Sequence, residues 1–222
     1  MIVKGLLTYD TNYFGIYFHK FLASSVIFPI HADAAAAQQV TASLGYLRVR
    51  LPELNGAELY GELYGEAQSK ALGFIPSPSH TAGLVGLFIP RLSPSGNWDA
   101  VVEWGHTSDW WYRHWVYNDG YVHKDNILGD AQGWNTERYY ARLTHYSKRA
   151  PSLSMHFERL EQDTSNPSPQ QMSSLWLSAA RKLNDDTTMN ILIGISRIDN
   201  ADYVSGKKAT NHRISISLNK KY

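Results

Sequence analysis

Trp110, Trp111, Tyr112, Arg113, Trp115, Tyr117 and Tyr121 crowd into one short stretch of this 222-residue sequence. Indole and phenol rings stack on the C–H faces of sugar rings, and arginine and tyrosine donate hydrogen bonds to hydroxyl or acidic groups. Trp111, Tyr112, Arg113, Trp115, Tyr117 and Tyr121 are therefore candidate contacts for a carbohydrate. The plainer alternative is a structural loop whose rings pack against the wall from which it emerges.

Other reactive side chains are spaced poorly for catalysis. Glu58, Glu62 and Glu66 recur at every fourth position, which on a strand sets successive carboxylates about 13 Å apart. That exceeds the separation used by either class of glycoside hydrolase, so hydrolysis would need partners from other strands. His106, His114 and His123 match no chelating spacing. There is no cysteine, which removes disulfides, thiolate metal sites and thiol catalysis. Glycine-rich phosphate loops, His-Glu-x-x-His and Gly-x-Ser-x-Gly are missing, and Pro167 disqualifies Asn166-Pro167-Ser168 as a glycosylation site. The expectation is a protein that is not an enzyme, with no metal and no cofactor. Basic and acidic residues number 21 and 20, for a net charge of +1 without a long basic block, which argues against nucleic acid as a partner.

The elements that hold these residues read as strands. Tyr46, Arg48 and Arg50 alternate with Leu47, Val49 and Leu51, and Pro52 to Gly56 supplies a turn. From Ala57 to Glu66 the carboxylates and tyrosines share one parity, opposite Leu59, Gly61 and Leu63. Gly83 to Ile89 is apolar on both parities and fits a buried strand. Trp98, Ala100, Val102 and Trp104 form an apolar stripe opposite Asp99, Val101 and Glu103. Further alternating runs contain Tyr139, Ala141 and Leu143; Leu153, Met155 and Phe157; Leu175, Leu177 and Ala179; Ile191, Ile193 and Ile195; and Ile214, Ile216 and Leu218. Met172 to Leu183 also suits an amphipathic helix, but its neighbours favour a strand. Residues 106–134 break the alternation and form the long aromatic loop, whose ring content argues for order.

The amino terminus supports two readings. Phe21 to Ile30 followed by His31-Ala32-Asp33-Ala34 resembles a signal-peptide core and cleavage site. Leu7 to Phe18 alternates as a strand would, which suits a chain that begins inside a longer protein. Residues 1–37 are thus read as amino-terminal strands or a signal-like segment, and residues 38–222 as one β-rich portion.

Alternation alone fits either a sandwich or a barrel. Glycine and aromatic residues on the apolar parity, charges of both signs on the polar parity, and unequal connections favour a transmembrane barrel. Arg48, Arg50, Glu58, Glu62, Glu66, Arg138 and Arg142 are the candidates for lumen-facing charge, because a watery lumen holds such side chains at little desolvation cost. No apolar run reaches the roughly 18 residues of a membrane-spanning helix, and the mean hydropathy of -0.35 averages two unlike faces.

The run Trp111-Tyr112-Arg113-His114-Trp115-Val116-Tyr117-Asn118-Asp119-Gly120-Tyr121-Val122-His123, followed by Asn126-Ile127-Leu128-Gly129-Asp130, resembles the central segment of the Wzi-type capsule assembly proteins. Ala57 to Glu62 and Gly86 to Pro90 are similar to the strands before it, and Asp130 stands where the family often has histidine. The resemblance implies an antiparallel barrel in the bacterial outer membrane, with outer-membrane lipid and capsular polysaccharide as partners, acting by non-covalent association. About ten or eleven readable strands are fewer than that barrel needs, so an incomplete carboxy-terminal part is expected. A porin-like channel and, behind it, a surface glycosidase are the alternatives. Neither the particular polysaccharide nor the oligomeric state is legible in the sequence.

Overall fold

The computed structural model describes residues 42–66, 81–109, 132–147 and 150–220, together with Trp111 and strand segments at 12–14, 17–18, 21–28, 122–123 and 126–127. The elements are β1 (Asn12–Phe14), β2 (Tyr17–Phe18), β3 (Phe21–Phe28), β4 (Ala42–Leu51), β5 (Ala57–Glu66), β6 (Thr81–Ile89), β7 (Trp98–Thr107), β8 (Val122–His123), β9 (Asn126–Ile127), β10 (Thr136–His145), β11 (Ser152–Gln162), β12 (Gln170–Lys182), β13 (Thr187–Asp199) and β14 (Lys208–Lys220). Among the described residues the chain is all-β, relieved only by short 3-10 turns at Pro52–Leu54 and Ala201–Tyr203.

Twelve strands make one antiparallel sheet in the order β1-β3-β4-β5-β6-β7-β10-β11-β12-β13-β14, with β2 beside β3, while β8 and β9 form a separate small hairpin. Among the described residues no second sheet packs on the large one, unlike the two layers of a sandwich. The strand count passes the expected ten or eleven because β1 and β2 are only three and two residues long. Residues 21–28, offered by the sequence as a signal-like core, are β3, paired with β4. Met172 to Lys182 is strand throughout, because β11 and β13 flank it on both edges. Among the described residues β14 pairs only with β13, so the sheet is open there rather than closed into a ring.

Register places like with like. Leu143, Met155, Leu177, Ile193 and Ile214 lie opposite one another across β10 to β14, and one residue away Arg142, His156, Trp176, Gly194 and Arg213 form the row on the other face. Every exposed large apolar side chain within the described strands lies on the first face, including Val102 and Leu177 at 57% and Ile214 at 75% of full exposure. The run Gly83 to Ile89 is not buried on both faces, since Val85 is exposed on the apolar one. Burial is inverted relative to a water-soluble domain: Thr107, Thr136 and Ser174 are the largest side chains below 2% exposure.

The two ends of the sheet differ. Connections 52–56, 90–97, 146–151 and 183–186 join strands at one end, and 29–41, 67–80, 108–135, 163–169 and 200–207 at the other. At the short end, Pro52 starts a single turn that Asn55 and Gly56 close with left-handed backbones, φ 56° and 77°.

Candidate functional site

The aromatic loop leaves the sheet between Thr107 and Thr136, and its two ends are fastened before it departs. The Thr107 and Thr136 hydroxyls are 2.8 Å apart in a buried pair, and the Thr136 N–H donates to Thr107 Oγ1 at 3.0 Å. The Asn135 N–H donates to the Ser108 carbonyl at 3.0 Å, and the Trp111 N–H to the same carbonyl at 3.1 Å. Ser108 is tied in turn to β6, accepting from the Thr81 N–H at its Oγ and donating its own N–H to the Thr81 carbonyl. Buried polar groups of this kind are stabilising only when satisfied, and these satisfy one another.

Asn135 completes the stem from outside. Its left-handed backbone, φ 50°, is one that asparagine tolerates better than most residues. That turn directs its amide to Asp163 Oδ1 at 3.1 Å and Ser165 Oγ at 2.8 Å, while its Oδ1 accepts from the Thr164 hydroxyl at 2.7 Å. Two connections at the long-loop end are thereby joined.

Beneath the stem, on the polar face of β5 to β7, lies a cavity of about 280 Å³ bordered by Glu62, Tyr64, Leu84, Thr107, Trp111 and Gln132. Trp111 is 3% exposed, and its ring lies 6.3 Å from that of Tyr64 at an interplanar angle of 57°. The Tyr64 hydroxyl donates to Glu62 Oε2 at 2.7 Å. The pair stands on adjacent same-face positions of β5, a neighbourhood that strand alternation makes obligatory.

Farther along the same face the charged candidates fall into chains. Arg48 bonds Glu58 through two nitrogens, its Nε at 2.8 Å, and Arg50 reaches the other Glu58 oxygen at 3.9 Å. Tyr60 crosses over Gly86 of β6 to donate to Glu103 Oε1 on β7 at 2.6 Å. Glu103 also takes Arg138 at 3.3 Å, and Arg138 donates to Glu158 at 2.6 Å, so one guanidinium joins β7, β10 and β11. Its cation also sits 4.8 Å above the Tyr140 ring. Arg142 pairs with Asp99 at 3.6 Å, and Tyr146 in the following turn donates to the other Asp99 oxygen at 2.5 Å. That bond to the carboxylate, with burial added, pushes the Tyr146 phenol above its ordinary range. Glu66 closes β5, but its side chain lies outside the described residues.

The six aromatic-loop candidates divide in the same way. Trp111 is a buried cavity wall, and Tyr112, Arg113, Trp115, Tyr117 and Tyr121 lie outside the described residues. Gln132, Thr107 and Leu84, absent from the sequence-based candidates, join the site because three separate elements meet there. Among the described residues no group of three or more His, Asp or Glu side chains is placed to hold a metal. No helix there is long and apolar enough to cross a membrane, a statement that does not bear on strands.

The family model described as Capsule assembly protein Wzi matches residues 18–213. Comparison with curated proteins gives no match.

Proposed function

The chain belongs to the capsule assembly protein Wzi family, and from that premise we propose that it forms wall of an outer-membrane β-barrel and associates non-covalently with capsular polysaccharide at the cell surface. The observation that carries the membrane part is the segregation of the two faces. Among the described side chains, the exposed large apolar ones in the strands of the large sheet lie on one face, while the other holds Arg48, Glu58, Glu103, Arg138 and Glu158 in ion pairs. An uncovered apolar face of that extent exceeds what a water-soluble monomer presents, and lipid is the solvent that suits it.

Trp98 and Trp104 bracket the apolar stripe of β7 at about 20 Å, from six residues of strand rise, close to the band height of outer-membrane barrels. Both are exposed, and Trp104 Nε1 donates to Glu137 Oε2 at 2.8 Å, the pose of an interfacial indole with one wet edge. Longer connections of such barrels face outward, which puts the aromatic loop and the cavity below it on the external side. Unpaired strand edges do not persist in hydrocarbon, so the proposal includes pairing of the outer edge of β14 with a further strand.

Polysaccharide association is assigned to Trp111, Tyr112, Arg113, Trp115, Tyr117 and Tyr121, and the lumen wall to Arg48, Arg50, Glu58, Glu62, Glu66, Arg138 and Arg142. The test is the triple variant Trp111→Ala, Arg113→Ala, Tyr117→Ala expressed in a capsulated host lacking its own copy. Surface polysaccharide is expected to fall while the protein still fractionates with the outer membrane. Full retention of polysaccharide by a correctly inserted variant would overturn the assignment.

A further inference from the structure

At the long-loop end, the apolar face gives way to a row that carries two arginines. On β11 the outward residues Leu153, Met155 and Phe157 are followed on the same face by Arg159, and on β13 Ile191, Ile193 and Ile195 are followed by Arg197. We propose that Arg159 and Arg197 form a site for a phosphate of a membrane-lipid headgroup, so that the wall holds phosphate-bearing lipids at its external rim. This rests on the outer-membrane placement proposed above.

Register brings the two together. Arg159 lies opposite Ser173 of β12, and Ser173 opposite Arg197, so the arginines stand two strand spacings, about 10 Å, apart. Their long side chains can converge over the small Ser173, whose hydroxyl is a further donor between the two guanidinium forks. All three residues are exposed. In the same row Tyr139 lies opposite Arg159 and Trp104 opposite Tyr139, amphipathic rings of the kind that settle where hydrocarbon meets headgroup. The arginine stems can lie along Phe157 and Ile195 while the charges rise to the phosphates. Basic side chains just beyond an apolar band attract anionic lipid. The pair is on the apolar face, away from the cavity and the ion-pair chains, so its ligand arrives from the lipid.

The nearby carboxylates lie one step farther out, where the row reads Glu137, Glu161, Gln171, Asp199 and Lys208. Gln171 stands between Glu161 and Arg159, donating to Glu161 Oε2 at 3.2 Å and accepting from Arg159 at 3.5 Å. Arg197 reaches Asp199 at 3.2 Å, but the two side chains are 61% and 39% exposed, and so open a pair contributes little. Charge-assisted bonds from two forks to one phosphate outweigh it. β11 to β14 and the connections 163–169 and 200–207 at this end all lie within the described residues.

The experiment uses the full chain in detergent micelles, a lipid with two phosphate monoesters on its headgroup, the same lipid stripped by phosphatase, and inorganic phosphate. Native mass spectrometry reads binding to the parent, to the double variant Arg159→Gln, Arg197→Gln, to its counterpart Arg159→Lys, Arg197→Lys, and to Arg181→Gln. Arg181 is an exposed outward arginine at the opposite end of β12. The parent should bind the phosphorylated lipid at least about tenfold more tightly than the stripped one, the worth of one charged hydrogen bond. The glutamine pair should lose that preference, the lysine pair should keep part of it because charge remains without the fork, and Arg181→Gln should match the parent. The stripped lipid, bound equally by every chain, separates loss of the phosphate contact from loss of the fold. No preference in the parent, an undiminished preference in the glutamine pair, or an equal loss from Arg181→Gln would overturn the site. Displacement of the lipid by inorganic phosphate at equal concentration, or by acidic capsular polysaccharide, would overturn lipid as the occupant. Release of the parent from membranes by alkaline carbonate would instead overturn the membrane placement on which the site rests.

Discussion

The Tyr60 hydroxyl donates to Glu103 at 2.6 Å from two strands away, and Gly86 on the strand between them is what lets the ring lie across. A Cβ on Gly86 would overlap the Tyr60 ring, and a Cβ on Gly194 would overlap Trp176 in the same manner. In both places a glycine on the polar face makes room for a neighbouring aromatic, which flattens against the sheet and covers it.

Gly86→Val should therefore displace Tyr60 and remove the bond to Glu103, destabilising the fold by about 1–3 kcal/mol as overpacking does. Tyr60→Ala in the same chain should recover part of that loss. A double-mutant cycle in denaturant unfolding measures the coupling, expected at about 1 kcal/mol or more for residues in contact. Strict additivity would mean that the ring does not need the glycine.

Arg138 is the cation shared by Glu103 and Glu158, and all three side chains are less than one-fifth exposed. Arg138→Met leaves two carboxylates facing each other without it, a loss of about 3 kcal/mol by analogy with buried pairs stripped of one partner. Adding Glu103→Gln should return much of the stability. By contrast, Lys182→Ala removes an exposed pair with Asp185 and should leave unfolding unchanged.

Val102→Arg and Leu177→Arg separate lipid from water as the solvent of the apolar face. In a barrel wall each should cost about 2–4 kcal/mol when the position lies near the bilayer midplane. On a water-exposed face the same substitutions stay within about 0.5 kcal/mol. Unfolding from liposomes reads the difference, and a neutral result at both sites would sink the membrane reading.

Tyr146 sets an alkaline limit. Its phenol is raised in the fold by the Asp99 carboxylate and by burial, so the neutral form is favoured there over the unfolded chain. The associated stability is fully present below the unfolded value of about 10 and disappears as pH rises through the higher folded value. Unfolding measured from about pH 9 upward should show that decline, and Tyr146→Phe, which lacks the ionisable group, should flatten it.

Much of the sheet was legible in the sequence because each strand separates an apolar from a polar face. Leu153, Met155 and Phe157 against Ser154, His156 and Glu158 needs no tertiary information, and their exposures alternate accordingly. β3 gave no such signal: Phe21, Leu22, Val26, Ile27 and Phe28 occupy both parities, and only pairing with β4 identifies the element. The stripe from Glu58 to Glu66 fixed a face but not its partners, since an ion pair such as Arg138 with Glu158 depends on register between strands. The cavity was the least legible feature. Gln132 has no local pattern to mark it, and it borders the same cavity as Glu62 and Trp111 only through the tertiary fold.

The bonded stem at Ser108 and Asn135 has an evolutionary corollary. Once both ends of a loop are held by their own hydrogen bonds, lengthening the part between them raises the closure cost only logarithmically, about 0.6 kcal/mol for each doubling. Insertions and replacements between 112 and 131 then need not disturb the register of β7 with β10. The sheet can thus keep its register while the segment between the stem residues changes in length and sequence, whereas replacements at Thr107, Ser108, Asn135 and Thr136 break the bonds that hold both ends.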